Sequence, residues 1–211
     1  AANLLDQQAS IVADAVLAEQ RRTGSVPDVP ADFQKKFYTF LDRINGHLME
    51  DKENFFGYFL FQMVKEIRFD MASPTGTNFK GTRYHLYFNP MLFLPLSPEQ
   101  MESTIKHEIL HVVSLHLIRS KELRQQYSKM AVNLAMDVVV NTYLDHLPPF
   151  STTLEWVNMN YSLLLNPFES LEYYVDKIQG ALDLWTEKKD LPESDSDSDE
   201  SIAVSYDPAK T

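Results

Sequence analysis

Ser97-Pro98-Glu99-Gln100-Met101-Glu102-Ser103-Thr104-Ile105-Lys106-His107-Glu108-Ile109-Leu110-His111 is the stretch whose reading decides what this chain builds. Ser97 suits a helix cap, Pro98 the first helical position, and Gln100 completes a capping-box pattern. A helix is therefore expected from here to about Leu123. Within it lies His-Glu-x-x-His. Residues four apart share one helix face, so the imidazoles of His107 and His111 can bind a single ion. Glu108 lies about 100° further round, close enough to reach a metal-activated water as general base without being a ligand. The bland alternative is two surface histidines around a solvated glutamate. Against it, Ile105, Ile109, Leu110, Val112, Val113 and Leu115 surround the motif, so the helix is expected to be buried. Buried histidines and a buried glutamate need partners, and a metal supplies them.

Two ligands leave such a site incomplete, since catalytic zinc has three protein ligands plus water. The chain has no cysteine, which excludes thiolate sites, iron–sulfur clusters and disulfide frameworks and leaves His and carboxylate as donors. His116 is nine residues from His107, about 180° around a continuous helix, and its alternative reading is a core or surface histidine hydrogen-bonded locally. A better source is the next expected helix, roughly 125–147, where Asn133, Asp137 and Asn141 form a polar stripe among Val132, Ala135, Val138 and Val140. An Asp in so apolar a helix is expensive unless coordinated or neutralised. Asp137 would then be the third ligand, with Asn133 and Asn141 as hydrogen-bonding support; the competing reading is a polar seam between helices. Asp145 and His146 stay open as further donors. Zn²⁺ suits imidazole and carboxylate best, although Mn²⁺ or Ni²⁺ would also fit.

Around this motif the chain reads as mostly helical. Apolar spacing predicts helices over 3–22, 32–49 and 54–69, the last very aromatic (Phe55, Phe56, Tyr58, Phe59, Phe61) and read as core. Ser73-Pro74-Thr75-Gly76-Thr77 reads as a turn, Arg83 to Phe88 as the one clear strand, and 168–185 as a final helix after a loop containing Trp156. With 44% hydrophobic residues in 211 the chain can bury a core. Its formal charge is −11, a poor match to nucleic-acid phosphates. Residues 190–211 carry seven acidic residues and one lysine, so −6 sits in an expected disordered tail or linker. The folded unit is expected over 1–189, with N-terminal helices to about 70 and a catalytic core over 70–180. No membrane span or signal peptide is visible, and a cytoplasmic protein is the expectation.

These features resemble the zincin superfamily of metallopeptidases. More closely, the chain is similar to a bacterial and phage metallopeptidase-like domain often followed by a von Willebrand A-like domain. The resemblance rests on Leu86 to Pro90, His107 to His116 with Arg119, Asn133 to Asn141, and Glu172-Tyr173-Tyr174, and covers about residues 70–180. It implies an α+β, mostly helical, zincin-like fold with a small sheet beside the motif helix. It also implies His107, His111 and Asp137 as metal ligands and Glu108 as general base. Tyr84, His85, Leu86, Tyr87 and Phe88 would be an edge strand that pairs with extended substrate, the alternative being a strand whose pleat is buried core. Tyr143, His146, Tyr161, Tyr173 and Tyr174 are the candidate oxyanion stabilisers. The expected function is a zinc-dependent peptidase acting on polypeptides. The alternative is a catalytically silent metal-binding module working with a MoxR-type AAA+ ATPase or a von Willebrand A-like partner.

Overall fold

A computed structural model describes residues 2–50 and 54–189. The acidic stretch 190–211, expected to be a tail, lies outside the described residues. The fold is α+β, mostly helical with one small sheet.

Two long helices, α1 (Ala2–Thr23) and α2 (Ala31–Glu50), open the chain. The expected third helix divides. α3 (Phe55–Gln62) stops where Met63 turns extended, and Val64–Ile67 forms strand β1. Its β-branched ends favour a pleated surface, and its partner is β3 (Arg83–Phe88), paired in parallel from Val64↔His85 to Ile67↔Phe88. That partner is distant in sequence, so no local periodicity announces it. The aromatic stripe also differs from its reading as core. Leu60 is buried, but Phe55, Tyr58 and Phe61 are exposed.

The stretch read as a turn is in part strand β2 (Thr75–Lys80), antiparallel to β3 from Thr75↔Phe88 to Lys80↔Arg83. The hairpin turns at Gly81, whose φ of 64° is open to glycine without a Cβ clash. The order is β1-β3-β2, which leaves β3 in the middle. A short α4 (Pro90–Phe93), capped by Asn89, leads to the motif helix.

That helix, α5, covers Pro98–Val113 and carries the expected capping box: Ser97 Oγ accepts from the Gln100 amide (3.2 Å) and Gln100 Oε1 from the Ser97 amide (3.0 Å). It ends earlier than expected. Leu115 is left-handed (φ 56°, ψ 27°), and a separate α6 (His116–Leu123) follows. The next helix, α7 (Lys129–Asn141), is shorter than expected at both ends. α8 (Leu154–Tyr161) occupies the stretch read as loop, and α9 (Leu171–Lys189) closes the described chain.

Two apolar cores result. The first joins α1, α2, the sheet, α4 and one side of α5 around Phe33, Phe37, Phe88, Phe93, Ile105 and Ile109. Its rings meet edge to face, Phe37–Phe88 at 5.8 Å and Phe88–Phe93 at 5.1 Å, an arrangement the ring quadrupoles favour. The second joins α7, α8 and α9 around Ala135, Val138, Val157, Tyr174 and Ile178. α5 and α7 are each amphipathic in an unusual sense. Their second sides carry His107, Glu108 and His111, or Asp137 and Asn141, and these meet in the seam between the cores. No helix among the described residues is long and apolar enough to cross a membrane.

Candidate metal centre

Helical spacing on α5 brings His107 and His111 together, with their Nε2 atoms 2.9 Å apart. From α7, Asp137 Oδ1 lies 3.3 Å from His111 Nε2 and 3.7 Å from His107 Nε2. A tetrahedral ion bound at about 2.0–2.1 Å separates its ligand atoms by roughly 3.3 Å, and the three separations bracket that value. Among the described residues this is the group of His and carboxylate side chains that could hold a metal ion.

The rings are oriented from behind. Asn141 donates from Nδ2 to the Thr152 carbonyl (2.8 Å), which turns its Oδ1 to His107 Nδ1 at 2.7 Å. The proton of His107 therefore sits on Nδ1, and the Nε2 lone pair faces the ion position. Behind His111, its Nδ1 and that of His116 are 2.8 Å apart, a contact that needs a proton on one of them. α6 is held by the ion pair of Arg119 with Glu172 on α9 (2.6 Å).

Glu108 is buried, and its Oε1 accepts from Thr75 Oγ1 at 3.0 Å. Burial pushes its carboxyl above the usual range, opposed by the nearby His111 and the Thr75 hydroxyl. Burial likewise lifts the half-buried Asp137, with His107 acting against it. His111 is pushed down to about 3 by burial first and by His107 second. Protein groups alone thus favour the neutral forms of Glu108, His111 and Asp137. A divalent cation fits this donor set, because it binds neutral imidazole and reverses the penalty on the carboxylates.

A cleft of about 270 Å³ opens over His107, Glu108 and Asp137, bounded by Ser73, Pro74, Thr75 and Ser151. A larger groove of about 630 Å³ shares Asp137, Phe150 and Thr152 with it and is walled by Met130, Leu134, Trp156 and Tyr161.

Several expectations need correction. Tyr84 to Phe88 cannot serve as a substrate edge strand, because β3 is hydrogen-bonded to β1 on one side and β2 on the other. Leu86 and Phe88 point into the core, His85 Nδ1 sits 2.8 Å from Glu66 Oε1, and Tyr84 packs on Phe79. The edge strand beside the cleft is β2. Asn133 stands a turn from Asp137, but its Oδ1 accepts from Arg124 (3.0 Å) and not from a histidine ligand. Asp145 and His146 border a different hollow with Glu99, Lys106 and Tyr143. Of the five oxyanion candidates, Tyr174 is buried with its hydroxyl donating to the Asn166 carbonyl (2.6 Å), and Tyr143 packs against Phe168. Tyr161 is the one that lines the groove reaching Asp137. Thr75 and Thr152 are further partners of the cluster, and His116 joins it as a locally hydrogen-bonded histidine rather than as a ligand. The first two sit in polar loop-like sequence that carries no signal of it.

Two imidazoles and a carboxylate at metal-binding separations, with a second carboxyl, the buried Glu108, beside them, define a candidate metal site. The family comparison agrees in kind: residues 46–199 match the model described as "Putative metallopeptidase domain", and the chain belongs to that family. No match was found among curated proteins or among solved structures.

Proposed function

We propose that the protein is a zinc-dependent, zincin-like peptidase in which His107, His111 and Asp137 hold the ion and Glu108 is the general base. The observation that carries this reading is the position of Glu108: a buried carboxyl, tethered by Thr75, in the cleft that His107 and Asp137 also line. Bound zinc would supply Lewis acidity, lowering the pKa of water and polarising the substrate carbonyl. The remaining work belongs to the protein. Glu108 takes the proton of the attacking water at its carboxylate and returns it to the departing amine. Burial raises its pKa and a bound cation would oppose that shift; ionised, it accepts the first proton, and protonated, it supplies the second. The Thr75 hydroxyl holds Oε1 in place and moderates that shift. Asn141 keeps the proton of His107 on Nδ1. The exposed side of β2 offers unpaired backbone groups to an extended polypeptide, and the groove walled by Leu134, Trp156 and Tyr161 gives a side chain an apolar seat.

The second reading is a silent metal-binding module for a MoxR-type ATPase or von Willebrand A-like partner. It rests on resemblance alone and gives Glu108 no task. A structural zinc site is closed by four protein ligands, and among the described residues three such groups converge. The deciding experiment pairs zinc analysis with a peptide-library cleavage screen on wild type and Glu108→Gln. The variant is expected to keep zinc while losing turnover by about 10²–10⁴-fold. Undiminished cleavage by Glu108→Gln would remove the proposed mechanism.

A further inference from the structure

We infer that His116 is a positioning residue for the metal centre, holding the ring of His111 and fixing which of its nitrogens faces the ion. The inference rests on the metal-binding reading above and extends it to a residue outside the ligand set. On a continuous helix His116 would stand about 140° round from His111, out of reach. The helix is not continuous. Leu115 takes a left-handed backbone (φ 56°) that a branched side chain adopts at a steric penalty. The Leu115 side chain is itself exposed, so its own packing does not account for the break. What the break achieves is the return of the His116 ring to 2.8 Å from His111 Nδ1.

Burial supports the same assignment. His116 is 1% exposed, and its Nε2 has no hydrogen-bond partner. A histidine kept only for packing would be expected to have both ring nitrogens served. Here the one bond goes to His111. The arrangement mirrors the other ligand, where Asn141 of α7 orients His107. Each imidazole thus has its own support from a different helix, as ligand histidines require for a defined tautomer. When an ion takes the Nε2 lone pair of His111, the His111 proton must lie on Nδ1 and donate to His116 Nδ1. The proton of neutral His116 then sits on its Nε2.

The full chain is titrated with zinc against a competing chelator as wild type, His107→Ala, His116→Leu and His116→Asn, with cobalt spectra recorded in parallel. His116→Leu is expected to bind zinc about 10–100-fold more weakly and to alter the cobalt ligand-field bands. His116→Asn places an oxygen near the former Nδ1 position and is expected to restore most of the loss. Affinity and spectra in His116→Leu equal to wild type would overturn the positioning role while leaving the metal site standing. Equal zinc binding by wild type and His107→Ala would instead overturn the metal site itself. Should His116→Leu fail to fold, nitrogen-15 NMR of the zinc-loaded wild type decides: a proton on His116 Nε2 supports the inference, and one on Nδ1 overturns it.

Discussion

The aromatic core and the seam beside it are built on opposite terms. Around Phe37, Phe88 and Phe93 the side chains are apolar and complete one another; nothing further is needed to satisfy them. A few ångströms away, on the other side of α5, His107, Glu108, His111 and Asp137 are crowded together, and burial suppresses the ionisation of Glu108, His111 and Asp137. One region is complete in its own packing, and the other holds donor atoms at separations that suit an ion. The contrast teaches that α5 has two separable duties, one structural on the Ile105–Ile109 side and one chemical on the His107–His111 side.

Substitutions should therefore divide cleanly between the two. The largest stability effect is expected from the core. Phe37→Ala should remove about 3–5 kcal/mol in urea unfolding while leaving the zinc affinity of the folded protein unchanged; weakened binding at intact folding would show that the regions are not separable. Next comes the ion itself. Zinc at about 100 times its Kd should raise stability by about 2.7 kcal/mol in wild type and not in His107→Ala, read from thermal melts. In chelated protein, Glu108→Gln should be more stable than wild type by a margin that widens as pH rises above about 4.5. Its folded carboxyl has a raised pKa, so the stability this group contributes in its neutral form is lost upward from the unfolded value of about 4.5. A constant margin would mean that the carboxyl is not desolvated. Asp137→Ala should weaken zinc binding at least about 10-fold with little change in core stability, and unchanged affinity would remove Asp137 from the ligand set. The smallest effect is expected from Thr75→Val. Losing a hydroxyl that lowers the Glu108 pKa should move the acidic limb of the pH–rate profile upward, and a downward shift would refute the tether.

The capped helix, the histidine pair and the Asp137 stripe were legible because each is written in residues three or four apart. So was the role of Asn141 as a partner, though its twin Asn133 turned out to serve Arg124. The sheet was not legible beyond one strand. β1 hides in the tail of an aromatic helix pattern, and β2 in residues whose Thr, Gly and Asn content signals a turn. The central position of β3 depends on both of those, so its reading as an edge failed with them. His116 was misplaced for a related reason. Helical arithmetic holds only along an unbroken helix, and a leucine in left-handed conformation gives no warning of itself in sequence.

The position of the metal cluster between the two cores bears on how the protein breathes. α5 packs into one apolar core and α7 into the other, and regions of a protein can open with their own free energies. An ion held by both helices would join those regions. Amide hydrogen exchange in α7 and α9 should then slow on zinc binding even at residues far from the ion, while α1 and α2 change little. Zinc would thus set how independently the C-terminal helices can open.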